Sequence, residues 1–85
     1  MTSTAKPILS LKHFILKQEV KNLYRRIFKA IRQVPELSHQ QELKEWARRD
    51  FRMNAHHTDE ITIKMYLKYG ERCLRELENS LSLAK

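Results

Sequence analysis

Arg25, Arg48 and Arg52 are the residues of this chain whose types and spacing most directly suggest chemistry. Lys44, Arg48 and Arg52 recur at four-residue spacing, which on a helix sets all three along one face. Lys17, Lys21, Arg25 and Lys29 repeat the pattern upstream. Tyr24 adjoins Arg25 and Phe51 adjoins Arg52, so two helices packed side by side would present a basic groove edged by aromatic rings. A guanidinium group offers a planar fork of donors that matches a carboxylate. The chemistry suggested is recognition of an anionic partner.

The charge distribution points the same way. The 85 residues hold 17 Lys and Arg against 10 Asp and Glu, a net charge of +7. Residues 1–54 carry 12 basic against 5 acidic side chains, and residues 55–85 carry 5 of each, so the whole excess lies in the first part of the chain. Such segregation calls for an acidic protein, a nucleic acid or an anionic membrane surface. A merely solvated face is the alternative, since exposed ion pairs to Glu42 or Glu45 contribute little.

Other chemistries find no support in the sequence. His56 and His57 are adjacent, so their side chains diverge, and no carboxylate or thiol stands at ligand spacing from them. The single cysteine, Cys73, excludes an internal disulfide and a Cys-rich zinc site. There is no nucleophile beside a base, no glycine-rich phosphate loop and no carboxylate pair, which argues against an enzyme. No apolar run approaches the roughly 18 residues that span a bilayer.

The elements that must position the basic residues are helical. One Gly and two Pro in the whole chain, with abundant Leu, Lys, Arg and Glu, favour an all-α fold. Leu23, Ile27 and Ile31, flanked by Val20 and Val34, form an apolar stripe that predicts a first helix over residues 11–33, capped by Ser10 and stopped by Pro35. Tyr24 borders that stripe, with its hydroxyl expected in water. Ser38 and Gln41 match a capping box opening a second helix over 39–53, with Leu43, Trp46, Ala47 and Phe51 turned inward. Thr58 is the expected cap of a third helix over 59–81, whose seam reads Ile63, Leu67, Gly70, Leu74, Leu77 and Leu81. Gly70 either admits a close helix–helix approach or leaves room for a guest. The expectation is a three-helix antiparallel bundle over residues 10–85, preceded by a flexible tail over 1–9.

Taken together, Leu23-Tyr24-Arg25, the basic and apolar run to Arg32, the Pro35 link and Arg48-x-x-Phe51-Arg52 resemble the mitochondrial LYR-motif family, the complex I LYR proteins. The resemblance covers about residues 9–85 and implies a three-helix protein of the mitochondrial matrix. It further implies a partner, the strongly acidic mitochondrial acyl carrier protein. The carrier's acyl chain, borne on 4′-phosphopantetheine, enters between the helices of family members. No cofactor of the protein's own is implied.

Carried over residue by residue, Tyr24, Arg25, Arg48, Phe51 and Arg52 match the family's partner-binding positions, and Lys44 fits the same face by spacing. Leu23, Ile27, Ile31, Leu43, Ala47, Leu67, Gly70 and Leu74 would surround the acyl chain. Phe28 stands where many members have a basic residue. The implied role is assembly of respiratory complex I, through one of its subunits or intermediates, or else iron–sulfur cluster delivery. Nucleic-acid binding is the competing class, disfavoured because acids are interspersed on every helix and no recognition motif is present. The N-terminal hydroxyls and lysines, with no acid before Glu19, suit a mitochondrial address.

Overall fold

Two polar links divide the chain. The computed structural model describes residues 6–84 and forms three helices, α1 (Lys6–Ile31), α2 (Leu37–Asn54) and α3 (Glu60–Ala84). The helix α1 begins earlier than expected, and Ser10 lies inside it instead of capping it. Pro7 is tolerated there because the first N–H groups of a helix have no intrahelical partner. Residues 1–5 of the expected tail lie outside the described residues. At its other end α1 stops at Ile31, short of Gln33. The Gln33 and Val34 N–H groups close tight turns onto the Ala30 and Ile31 carbonyls at 3.0 Å each, and Pro35 prevents continuation.

Both expected caps move by a residue or more. The capping box does not form: Glu36 is the N-cap of α2, in extended backbone (φ −89°, ψ 122°), without a side-chain capping bond. Because the helix opens at Leu37, Ser38 already lies in its first turn, and its hydroxyl donates to Glu36 Oε1 at 2.7 Å. Gln40, not Gln41, does the local bonding. Its Nε2 donates to the Arg32 and Val34 carbonyls at 3.2 and 3.3 Å, tying the start of α2 to the end of α1. For α3 the cap is Asp59 in place of Thr58. Its Oδ2 accepts from the Thr62 N–H at 3.0 Å and the Thr62 hydroxyl at 2.9 Å, and these bonds hold its carboxyl below the usual range.

Consecutive helices run antiparallel, so α3 lies parallel to α1, with Leu23 against Gly70 and Arg26 paired to Glu71 at 3.0 Å. The core is where the stripes meet: Leu23, Tyr24, Ile27, Ala30 and Ile31 of α1 pack with Ala47 of α2 and Leu74 of α3. Ala47 is fully buried, and its small side chain lets α2 sit close on α1. The shared element is α1. Among the described residues, no Cα of α2 lies within 8 Å of a Cα of α3.

Gly70 is a close-approach glycine. A methyl there would overlap Leu23 Cδ2, and Leu23 is too deeply buried, at 1% exposure, to swing aside. The room at Gly70 is therefore already filled. Gly70→Ala is expected to destabilise, because overpacking costs about 1–3 kcal/mol and outweighs the roughly 1 kcal/mol that alanine adds to helix stability. Thermal unfolding followed by circular dichroism checks this, with a fall in Tm of about 4–8 °C expected for a net loss near 1 kcal/mol.

Candidate functional site

The four-residue spacings on α1 and α2 converge. Lys21, Tyr24, Arg25 and Phe28 from α1 face Arg48, Phe51, Arg52 and Ala55 from α2 across an open cleft of about 590 Å³. Every residue matched to partner binding lines it except Lys44, which is half-buried one turn along α2 from Arg48. Lys21 takes a place in the cleft instead.

Arg25 and Arg26, neighbours in sequence, part company here. Arg26 turns to α3 and forks onto Glu71, with Nη1 and Nη2 donating at 3.0 and 3.2 Å. Arg25 turns to the cleft, where its only described partner is the Asn22 side chain at 3.2 Å. Among the described residues no carboxylate pairs with Arg25, Arg48 or Arg52, and all three are exposed. Phe28 acquires a role of its own: the Arg48 guanidinium lies over its ring, 6.0 Å from the centroid. An aromatic platform thus orients a cation at the cleft.

Tyr24 departs from expectation. It is 5% exposed, and its hydroxyl is not in water but donates to Asp50 Oδ2 at 2.5 Å. Tyr66 of α3 donates to the same oxygen at 2.5 Å, so one carboxylate of α2 holds a tyrosine from each of the other helices. Burial pushes the Asp50 carboxyl up from its ordinary value, while both tyrosine hydroxyls donate to it. Burial likewise raises the Tyr66 hydroxyl well above the usual tyrosine range. The Phe51 ring meets Tyr24 edge-on at 4.8 Å, and these two rings line the basic cleft. Asn54 extends the network, donating to the Asp50 carbonyl at 2.8 Å while its Oδ1 lies 2.8 Å from His57 Nε2. Tyr24→Phe is expected to cost about 1–2 kcal/mol, read as a lower urea midpoint, because it removes a hydroxyl donor from a carboxylate.

On the far side of α2 the gap between α2 and α3 is apolar. Ile27 and Ile31 floor a groove of about 390 Å³, walled by Leu43 and Trp46 on one side and Cys73 and Leu77 on the other. It runs on past Leu43 and Leu77 to a second hollow at Val34, Pro35 and Leu81. Of the residues expected around a guest, Ile27, Ile31 and Leu43 line this groove. Leu23, Ala47, Gly70 and Leu74 are buried in the packed core, and Leu67 packs against it half-buried.

Sequence reasoning passed over Asp50, Tyr66, Trp46 and Cys73 as site residues. The available signal was Asp50 itself, an acid set between the inward positions Ala47 and Phe51 of a basic helix. Among the described residues there is no cluster of His, Cys, Asp and Glu able to hold a metal ion, and no helix long and apolar enough to cross a membrane.

The model of the complex 1 protein (LYR family) matches residues 18–76, which include the α1 motif, the whole of α2 and most of α3. LYR motif-containing protein 2 of Homo sapiens is 51% identical over 77 residues, covering 91% of this chain and 88% of that protein. The Xenopus tropicalis protein is 47% identical over the same coverage, and the Danio rerio protein is 43% identical over 89% of this chain. No solved structure matches. An adaptor-type role follows from such kinship, and the chain belongs to the complex 1 LYR family.

Proposed function

We propose that this protein is a non-enzymatic adaptor of the mitochondrial matrix that binds the acylated mitochondrial acyl carrier protein and supports assembly of respiratory complex I. The observation that carries the reading is the basic cleft, in which Arg25, Arg48 and Arg52 stand together and, among the described residues, pair with no carboxylate. Three such cations repel one another, and an acidic partner relieves that repulsion while matching their forks. The apolar groove between α2 and α3 supplies what an acyl chain needs, half-exposed walls of Leu43, Trp46 and Leu77 over a floor of buried Ile27 and Ile31. The pantetheine group and its acyl chain come from the carrier. The family description, a complex 1 protein, supports the choice of client.

Affinity purification from mitochondria, read by mass spectrometry, tests the carrier and the client together. The expected result is recovery of the acyl carrier protein with complex I subunits or assembly intermediates. Recovery of iron–sulfur assembly proteins in their place moves the client to cluster delivery. Recovery of nucleic acid without the carrier overturns the reading.

A further inference from the structure

The outer face of α3 belongs to neither the cleft nor the core. Ile61, Met65 and Tyr69 recur along it at four-residue spacing and are 68%, 67% and 46% exposed. Lys64, Lys68 and Arg72 form a parallel row three residues on, so each apolar side chain has a cation beside it. Arg75 extends the basic row by another turn. The acids in and next to α3 are engaged elsewhere. Asp59 caps the helix, Glu60 pairs with Lys64 at 2.8 Å, and Glu71 pairs with Arg26 at 3.0 Å. Glu76 lines the apolar groove, and Glu78 lines a hollow beside Arg26 and Lys29. Among the described residues, exposed Lys68, Arg72 and Arg75 pair with no carboxylate.

We infer that this face docks on an anionic phospholipid membrane, with α3 lying along the surface. Lysine and arginine stems reach the lipid headgroups while Ile61 and Met65 enter the acyl boundary, and the tyrosine ring suits the level between. A protein partner takes most of its affinity from side chains seated in pockets. Here the side chains stand on one convex helix, and none of them lines the cleft, the groove or the hollows beside them. A fluid surface needs no pocket. None of the cleft's lining residues lies on α3, so the two surfaces can be occupied together. Membrane docking in turn requires no carrier.

Flotation of the full chain with vesicles tests this at physiological ionic strength, where distant charges are screened. One set is phosphatidylcholine alone, and in the other about a third is phosphatidylserine. The protein is expected to float with the anionic vesicles and stay behind with the neutral ones. Lys68→Glu with Arg72→Glu should weaken that binding at least about thirtyfold. Ile61→Ser with Met65→Ser leaves the charge unchanged and should weaken it about tenfold. The cleft reversal, Arg48→Glu with Arg52→Glu, should stay within about threefold. All six positions are exposed, and circular dichroism checks helix content. The serine pair serves alone should the α3 reversal disturb the helix. Full binding by the serine pair, or a cleft reversal as damaging as the α3 reversal, reduces the effect to unspecific charge and overturns the inference. Absence of flotation with anionic vesicles also overturns it, and leaves the face to a protein partner.

Discussion

Reversing Arg48 and Arg52 together to Glu is expected to abolish capture of the proposed partner, the acyl carrier protein, while helix content stays unchanged. Both side chains are exposed and neither has a described internal carboxylate, so folding loses little beyond the Arg48–Phe28 contact, about 0.5–1 kcal/mol. Binding loses far more. Two attractive pairs become two repulsions against an acidic surface, which together weaken the complex by about a thousandfold. Arg25→Ala removes one pairing without adding repulsion and is expected to weaken capture by about ten- to a hundredfold. Arg26→Ala is the internal control. That arginine is committed to Glu71 on the α3 side, so capture should stay within about twofold. If the double reversal still captures carrier, or if Arg26→Ala behaves like Arg25→Ala, the basic cleft is not the docking surface. Raising the salt concentration should weaken the unmodified complex progressively, since the charges at the cleft are open to solvent.

The geometry of that cleft was readable from spacing, and its inner wall was not. Period-four runs on α1 and α2 brought Tyr24, Arg25, Arg48, Phe51 and Arg52 together because each helix is regular between its two ends and both pack on their apolar stripes. Periodicity assigns a face, however, and says nothing about a long-range partner. Tyr24 sits at a boundary position on the helical wheel, and only the arrival of Asp50 from α2 turns its hydroxyl inward. Lys44 has the right spacing for the cleft but lies half-buried outside it, while Lys21, on the facing helix, lines it. The caps moved for a related reason. Ser38 with Gln41 and Thr58 with Asp59 both offered plausible starts, and choosing between neighbouring starts depends on where the link delivers the chain. Gln40 bonding back to Arg32 and Val34 settled the first, and Thr62 bonding to Asp59 settled the second. The absence of any close α2–α3 backbone approach had no sequence signature at all, since an a/d-like seam on α3 reads the same whether one neighbour or two cover it.

The apolar groove beside that seam gives the second large effect. Acyl-loaded carrier is expected to raise the protein's Tm well above the value reached with bare carrier at equal concentration. Each methylene withdrawn from water contributes about 0.8 kcal/mol, so eight of them supply about 6 kcal/mol gross. Ordering the chain and immobilising the groove side chains takes back a large part of that. A net advantage of only a hundredfold in affinity still adds about 2.7 kcal/mol of stabilisation at saturating carrier, or about 10–20 °C for a domain of this size. Trp46 offers a direct view of where the chain goes. It is the sole tryptophan, it is half-buried, and it walls the groove opposite Cys73 and Leu77. With a tryptophan-free carrier, its emission should move to shorter wavelength when the decanoyl form binds and stay in place with the bare form. Equal stabilisation by the two carriers, with no change at Trp46, would mean that the chain stays on its carrier. Charge at the cleft would then account for the whole affinity. Greater stabilisation with a silent Trp46 would put the chain elsewhere, and the hollow lined by Val20, Phe51 and Ile63, which shares Lys21, Phe51 and Ala55 with the cleft, is the next place to look.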